Sequence, residues 1–194
     1  MAKGLSRAFL IADMPFMSYS DPNQALENSV RLMQEGAAMM IKLEGGEDQI
    51  SIVEHLARHD IAVCAHLGLK PQSVHKIGGF KVQGRDKDES DKMLKNAISL
   101  QNAGADLILL ECVPNELGKL IRDKLDIPVI GIGAGPNVDG QILVLYDVLG
   151  ITQGTMPKFV KNFMLGHDSP LNAIESYVKA VKEGDYPSPE HCFS

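Results

Sequence analysis

Hydrophobic residues along this chain occur as short runs separated by longer stretches in which apolar residues recur at helical spacing. Five runs have the length and composition of β-strands: Ala8–Ala12, Ala38–Leu43, Ile61–Ala65, Asp106–Leu110 and Pro128–Ile132. Because strand-like and helix-like stretches alternate, the pattern predicts a parallel sheet built from βα units.

The helix-like stretches have recognisable ends. Asp21 and Pro22 begin the amphipathic stretch Gln24–Glu35, which ends at Gly36. Lys87–Asn102 ends just before Gly104, and Ile174–Val181 also has a helical pattern. These signals place helices between and after the predicted strands.

Two segments depart from the alternation. Leu67–Asp86 is rich in Gly, Lys and Gln, which is typical of a long βα loop with a functional role. Gln141–Val148 fits either a last strand or a buried helical turn, and we favour a strand. With that strand the chain has about six βα units, fewer than the eight that close a barrel.

Composition narrows the class of protein. The chain has 194 residues, of which 44% are hydrophobic and 23% charged, so residues 1–194 suit a single globular domain. A net charge of −6 without a Lys/Arg-rich run argues against a nucleic-acid partner. The first apolar run is too short for a signal sequence or a membrane span.

The three cysteines, Cys64, Cys112 and Cys192, have no CxxC spacing. This indicates reduced thiols and a cytoplasmic protein rather than a disulfide framework or a zinc site.

Polar residues stand at or just after the ends of four predicted strands. Asp13 ends the first, Lys42 and Glu44 lie at the end of the second, His66 ends the third and Glu111 ends the fourth. Because the carboxyl ends of parallel strands meet at one rim, where ligands bind in such folds, we expect these side chains to converge.

Each of these residues also has a structural explanation. Asp13 could cap the following helix. Lys42 and Glu44 are two apart on one strand and face the same side, so they could form either a salt bridge or a ligand site. His66 could be a core histidine or a functional one, since no second histidine stands at metal-ligand spacing. Glu111, delivered to the rim by an apolar strand, suits a general base.

The glycine-rich segment Gly131–Pro136 has the start of a dinucleotide-binding loop. Pro136 replaces the last glycine of that motif, and no acid-ended strand follows at the required distance. The sequence therefore argues against a nucleotide-binding Rossmann fold.

Several segments together resemble ketopantoate hydroxymethyltransferases. The most specific are Ile11–Phe16, Ile41–Gly46, His66–Leu69 with Pro71–Ser73, and Leu110–Pro114. The likeness continues through Gly78–Arg85, Ile130–Gly135, Asp139–Val144 and Pro157–Phe159, and so covers nearly the whole chain. It implies an α/β fold, a TIM-type (βα)8 barrel of the phosphoenolpyruvate-mutase-like group.

The resemblance also implies a reaction. Such enzymes transfer a one-carbon unit from 5,10-methylenetetrahydrofolate to 3-methyl-2-oxobutanoate, forming 2-dehydropantoate (ketopantoate) in pantothenate biosynthesis. By position, Asp13 resembles a ligand of one Mg²⁺ ion and a substrate contact, and Glu44 a second metal ligand. Lys42 resembles the cation that binds the substrate carboxylate and Glu111 the catalytic proton acceptor, with His66 an additional candidate.

The N-terminal part of the sequence differs from that of the family. Family members carry two further βα units there, with a Gly-Asp-Ser segment that supplies another metal-binding aspartate and a substrate-binding serine. We find no counterpart of these units, so we expect an incomplete barrel and weak or no activity from this chain alone. The resemblance further implies a homo-oligomer, commonly a decamer.

Two other functions stay open. One is another Mg²⁺-dependent enzyme of the same barrel group that makes or breaks C–C or C–P bonds in oxo-acids, although the nucleophilic cysteine loop typical of those enzymes is not found. The other is an inactive remnant, or a subunit that is completed by another chain.

Overall fold

The computed structural model describes residues 2–194 and contains one parallel sheet of six strands in chain order. The strands are β1 (Ile11–Asp13), β2 (Met40–Glu44), β3 (Val63–Gly68), β4 (Leu107–Glu111), β5 (Val129–Ile132) and β6 (Gly140–Gln141). Each strand pairs in parallel with the next, and the sheet curls into an open half-barrel. The prediction of an α/β fold with a parallel sheet is therefore confirmed, while the group of barrels stays a prediction.

Helices follow most of the strands. They are α1 (Pro22–Gln34), α2 (Ile50–Ala57), α3 (Val74–Ile77), α4 (Lys87–Asn102), α5 (Asn115–Lys124), α6 (Leu145–Val148) and α7 (Pro170–Glu183). The side chain of Asp21 accepts hydrogen bonds from the first turn of α1, and Asp86 does the same for α4. These caps satisfy backbone N–H groups that have no partner inside the helix, which explains where the two helices begin.

Alternate residues of the strands face opposite sides of the sheet. One side, the helix-covered face, packs under the helices and is formed by apolar residues such as Ile41, Leu43, Ile108 and Leu110. The other side, the concave face, carries a smaller apolar cluster against which Phe159 packs, and its strand residues are Met40, Cys64, Leu109 and Ile132.

The predicted strand at Gln141–Val148 is mostly wrong. Strand β6 comprises only Gly140–Gln141, and Leu145–Val148 forms the short helix α6. The N–H groups of Asp147 and Val148 both bond to the Val144 carbonyl, which closes a helical turn. This turn buries Val148 in a cluster with Phe163, Ala173 and Tyr186, all of which come later in the sequence.

The predicted long loop at Leu67–Asp86 is more structured than expected. Strand β3 continues to Gly68, and a 3-10 helix at Pro71–Ser73 leads directly into α3. Pro71 favours this helical start because its ring fixes φ near the helical value. Residues 78–86 form no helix or strand, so the prediction of a loop holds for the second half of the segment.

All three cysteines are free and buried. Burial raises the pKa of the Cys64 thiol and that of the Cys112 thiol to about 12, so both stay protonated at neutral pH. Across the part of the chain that the structure describes, none of the helices combines the length and the apolar character needed to cross a membrane.

Candidate active site

The strand register brings the predicted polar residues onto the concave face. Asp13 of β1 lies beside Lys42 of β2, and Glu44 of β2 lies beside His66 of β3. Residues at paired positions of parallel strands point to the same face, as do residues two apart on one strand. Asp13, Lys42, Glu44 and His66 therefore form one continuous row at the carboxyl ends of three strands.

Lys42 joins two carboxylates. Its Nζ lies 2.9 Å from Asp13 Oδ2 and 3.1 Å from Glu44 Oε1. The side chains of Lys42 and Glu44 are 10% and 3% exposed, whereas that of Asp13 is 58% exposed. The salt bridge between Lys42 and Glu44 thus exists, but it extends to a third residue that solvent and ligands can reach. Asp13 does not cap α1, because Asp21 does.

His66 lies between two carboxylates and is buried. Its Nε2 is 3.3 Å from Glu111 Oε2, and its Nδ1 is 3.7 Å from Glu44 Oε1, but neither contact has hydrogen-bond geometry. Burial lowers the pKa of His66, but the contacts with Glu111 and Glu44 outweigh burial and raise that pKa above 6.5. His66 thus joins Glu111 to the row, and the five residues together form the charged row: Asp13, Lys42, Glu44, His66 and Glu111.

Burial and charged neighbours also act in opposite directions on the pKa of Glu44. Burial raises the pKa of its carboxyl, but His66 and Lys42 together outweigh burial and hold that pKa below its ordinary value of 4.5. Glu44 is therefore a buried carboxylate that stays ionised at neutral pH.

Gly68 allows β3 and the end of β4 to approach closely. It pairs with Glu111 across the two strands and has a φ of +90°, in the left-handed region that favours glycine. A Cβ atom at this position would lie 2.1 Å from the Glu111 carbonyl oxygen. The absence of a side chain lets the β4 backbone lie against β3, and the Glu111 side chain, 14% exposed, reaches back to His66.

Two residues that were given no role from the sequence also belong to this site. The backbone N–H of Gln72 donates to Glu44 Oε2 at 3.1 Å, and its side-chain amide donates to the Met14 carbonyl at 2.8 Å. The Tyr19 hydroxyl donates to Gln72 Oε1 at 2.6 Å. Gln72 lies within a segment, Pro71–Ser73, that carries the family resemblance, whereas no sequence signal identifies Tyr19.

The fit of a magnesium ion depends on Asp13 and Glu44. Both carboxylates contact the same ammonium, so they are close enough to act on one cation, and carboxylate oxygens suit Mg²⁺. Among residues 2–194 there is no group of three or more His, Cys, Asp or Glu side chains placed around a common metal position. Because Mg²⁺ often takes only one or two protein carboxylates, these two residues fit an ion whose other ligands come from substrate and water.

A cavity of about 700 Å³ lies elsewhere on the molecule, between residues 84–87, the start of α5 and the C-terminal tail. Its lining includes Arg85, Lys158 and Phe193, and contains none of Asp13, Lys42, Glu44, His66 and Glu111. The charged row is therefore separate from this cavity.

Comparison with known proteins bears on this site. The family model described as ketopantoate hydroxymethyltransferase matches residues 1–189. A 3-methyl-2-oxobutanoate hydroxymethyltransferase of Alkalilimnicola ehrlichii is 58% identical over 186 residues, covering 96% of this chain and 67% of that protein. One from Nitrosococcus oceani is 54% identical over 187 residues, covering 96% of this chain and 71% of that protein.

One solved structure shows a weaker similarity. A dihydrodipicolinate synthase from Acinetobacter baumannii matches 73% of this chain and 50% of its own, with a TM-score of 0.42 and 15% identity. Similarity at this level supports no conclusion about function.

The matches to the hydroxymethyltransferases include every strand end that carries a charged residue of the row. Their identity above 50% over almost the whole chain is far beyond what a shared fold alone produces. This chain belongs to the ketopantoate hydroxymethyltransferase family, whose named members are transferases of a hydroxymethyl group.

Proposed function

We propose that this chain carries the substrate-binding and proton-transfer residues of an enzyme that converts 3-methyl-2-oxobutanoate to 2-dehydropantoate. The observation that carries the proposal is the charged row itself. One ammonium, one imidazole and three carboxylates contact one another in sequence at the strand ends, in a chain of this family. Such a row offers both a cation for an oxo-acid and a base for its acidic C–H bond.

Glu111 is the proposed general base. The carbon next to the substrate carbonyl gives its proton to the Glu111 carboxylate, and the released electron pair forms the new C–C bond. The proposed donor of the one-carbon unit is 5,10-methylenetetrahydrofolate. Water supplies the hydroxyl oxygen, and tetrahydrofolate leaves.

Lys42 and His66 supply the positive charge that this chemistry needs. Lys42 is the cation that binds the substrate carboxylate, since its ammonium lies beside the accessible Asp13. His66 lies 3.3 Å from Glu111 and, when protonated, balances the charge of that carboxylate. Both side chains are buried, where electrostatic interactions are stronger than in water.

We propose that Asp13 and Glu44 hold one Mg²⁺ ion. When bound, the ion supplies a Lewis acid that stabilises the enolate of the substrate. Asp13 and Glu44, the two carboxylates that Lys42 contacts, would hold the ion, and Lys42 would bind the carboxylate of the substrate.

The wider setting is proposed from family membership alone. It comprises a place in pantothenate biosynthesis, a cytoplasmic location and a homo-oligomer, commonly a decamer.

The experiment that tests the function is calorimetric binding of 3-methyl-2-oxobutanoate to the purified chain, with and without Mg²⁺. We expect binding that Mg²⁺ strengthens and that is lost in Asp13→Asn and in Glu44→Gln. Asp123→Asn is the control, because Asp123 pairs with Lys119 on the outer helix α5. A folded wild-type protein that binds no oxo-acid in either condition contradicts the proposal.

A further inference from the structure

We infer that Gln72 and Tyr19 form a clamp that holds the Glu44 carboxylate in the orientation needed for oxo-acid binding. The inference rests on the proposed function for the role of Glu44. It assigns Gln72 and Tyr19 as positioning residues, since their contacts are with Glu44 and with the backbone.

The two oxygens of the Glu44 carboxylate have different partners. Oε2 accepts the backbone N–H of Gln72 at 3.1 Å. Oε1 faces Lys42 Nζ at 3.1 Å and His66 Nδ1 at 3.7 Å. Because the two oxygens are chemically equivalent, the Gln72 N–H fixes the plane of the carboxylate, and a rotation out of that plane would weaken the contacts on both sides.

The position of that N–H depends on the Gln72 side chain. The amide nitrogen donates to the Met14 carbonyl at 2.8 Å, and the amide oxygen accepts the Tyr19 hydroxyl at 2.6 Å. Because the planar amide makes both bonds, it cannot turn without losing them together. The turn after β3 is thereby attached to the residue that directly follows Asp13 and to the loop after β1.

The groups that hold the Gln72 side chain are buried. Met14 is completely buried and Tyr19 is 8% exposed, so both groups that bond to the partly buried Gln72 amide are themselves shielded from water. Burial raises the pKa of the Tyr19 hydroxyl to about 12, which keeps it protonated at neutral pH as the donor to Gln72. The Tyr19 oxygen also lies 3.4 Å from the Glu44 backbone nitrogen, which connects the clamp to the end of β2.

Contacts that only stabilise the fold and contacts that position Glu44 differ in what happens when they are removed. Removing contacts that only stabilise the fold lowers stability and leaves the binding constant of the folded molecules unchanged. Removing the clamp weakens binding in molecules that remain folded, because supporting contacts orient the groups that meet ligand.

The test is a double-mutant cycle on the dissociation constant of 3-methyl-2-oxobutanoate in the presence of Mg²⁺. Gln72→Met keeps the volume and removes both side-chain hydrogen bonds, while Tyr19→Phe removes one hydroxyl. We expect Gln72→Met to raise the dissociation constant about 10- to 100-fold, and Tyr19→Phe to raise it less. The double variant should bind no more weakly than Gln72→Met, because both changes act through one contact.

Matched controls remove similar bonds from elements outside the site. The Tyr177 hydroxyl in α7 donates to the Gln141 carbonyl at 3.0 Å, and the Gln101 side chain in α4 bonds to the segment before β5. Tyr177→Phe and Gln101→Met should leave the dissociation constant unchanged. Equal weakening by the controls, or additive effects of the Gln72 and Tyr19 substitutions, would overturn the inference.

A second measurement does not depend on ligand binding. Crystal structures of the wild type and of Gln72→Met should show Glu44 Oε1 displaced from Lys42 in the variant. A carboxylate that keeps both of its contacts in the variant overturns the clamp. If the wild type binds no oxo-acid, the proposed function fails, and this structural comparison alone decides the clamp.

Discussion

The two faces of strand β2 differ in chemistry although they do not differ in burial. All five of its residues are buried, but Ile41 and Leu43 pack under the helices, whereas Lys42 and Glu44 join the charged row on the concave face. Low exposure therefore does not distinguish core from site in this molecule. The partners of each side chain do.

The physical reason lies in the cost of burying charge. An unpaired ion in a protein interior is strongly unfavourable, so Lys42 and Glu44 persist only because Asp13 and His66 complete their contacts. The helix-covered face has no such requirement, since its strand residues are apolar. We therefore expect substitutions on the helix-covered face to reduce stability alone, and substitutions in the charged row to reduce binding in addition to any loss of stability.

The largest change in free energy should come from alanine substitutions at two neighbouring leucines that lie on opposite faces of the sheet. Leu110 is 0% exposed under the helices, and Leu109 is 7% exposed on the concave face. Leu110→Ala should lower the free energy of unfolding by about 2–5 kcal/mol, through lost burial and the cavity that remains. Leu109→Ala should cost less, because the concave face is less enclosed. Urea denaturation measures both, and equal costs would show that the faces are packed alike.

A smaller free-energy change is expected for Lys42→Met. Loss of the ammonium should weaken binding of 3-methyl-2-oxobutanoate about 10- to 100-fold, the value of a hydrogen bond to a charged group. Lys119→Met is the control, since Lys119 forms an exposed pair with Asp123 at 2.9 Å. If both variants bind as the wild type does, the row has no part in substrate binding.

The smallest expected effect is the dependence of stability on pH. The raised pKa of His66 means that its stabilising contribution is fully present below pH 6.5 and is lost as pH rises through the folded-state pKa. The lowered pKa of Glu44 acts in the opposite sense, with a contribution that is present above pH 4.5 and lost as pH falls through the folded-state value. Stability should thus decline on both sides of an intermediate range.

His66→Gln separates these two effects. The variant should lack the decline on the alkaline side, while His59→Gln, a change at an exposed histidine, should retain it. Urea denaturation from about pH 5 to pH 9 gives the free energy of unfolding of both variants. The alkaline decline in this free energy should amount to about 1.4 kcal/mol for each unit by which the pKa of His66 is raised. An alkaline decline that persists in His66→Gln would show that His66 is not its source.

Local patterns were enough to predict much of this arrangement. Helix α4 has the predicted bounds, because Asp86 caps its start and Gly104 follows its end. The five polar residues at the ends of four strands could be identified because parallel strands deliver their last residues to one rim. The helical conformation of Leu145–Val148 could not be predicted from local sequence, since it depends on the packing of Val148 against Phe163 and Tyr186.

The sequence by itself determined the alternation of strands and helices, the family, and the residues that meet at the rim. These follow from the period of two along a strand, from helix caps and from motifs that survive as consecutive residues. Only the tertiary structure decided that His66 lies between two carboxylates and that Gln72 reaches Glu44, Met14 and Tyr19. Such contacts join residues that are distant along the chain, and they depend on the register between strands and on the path of the loop after β3, which no local pattern encodes.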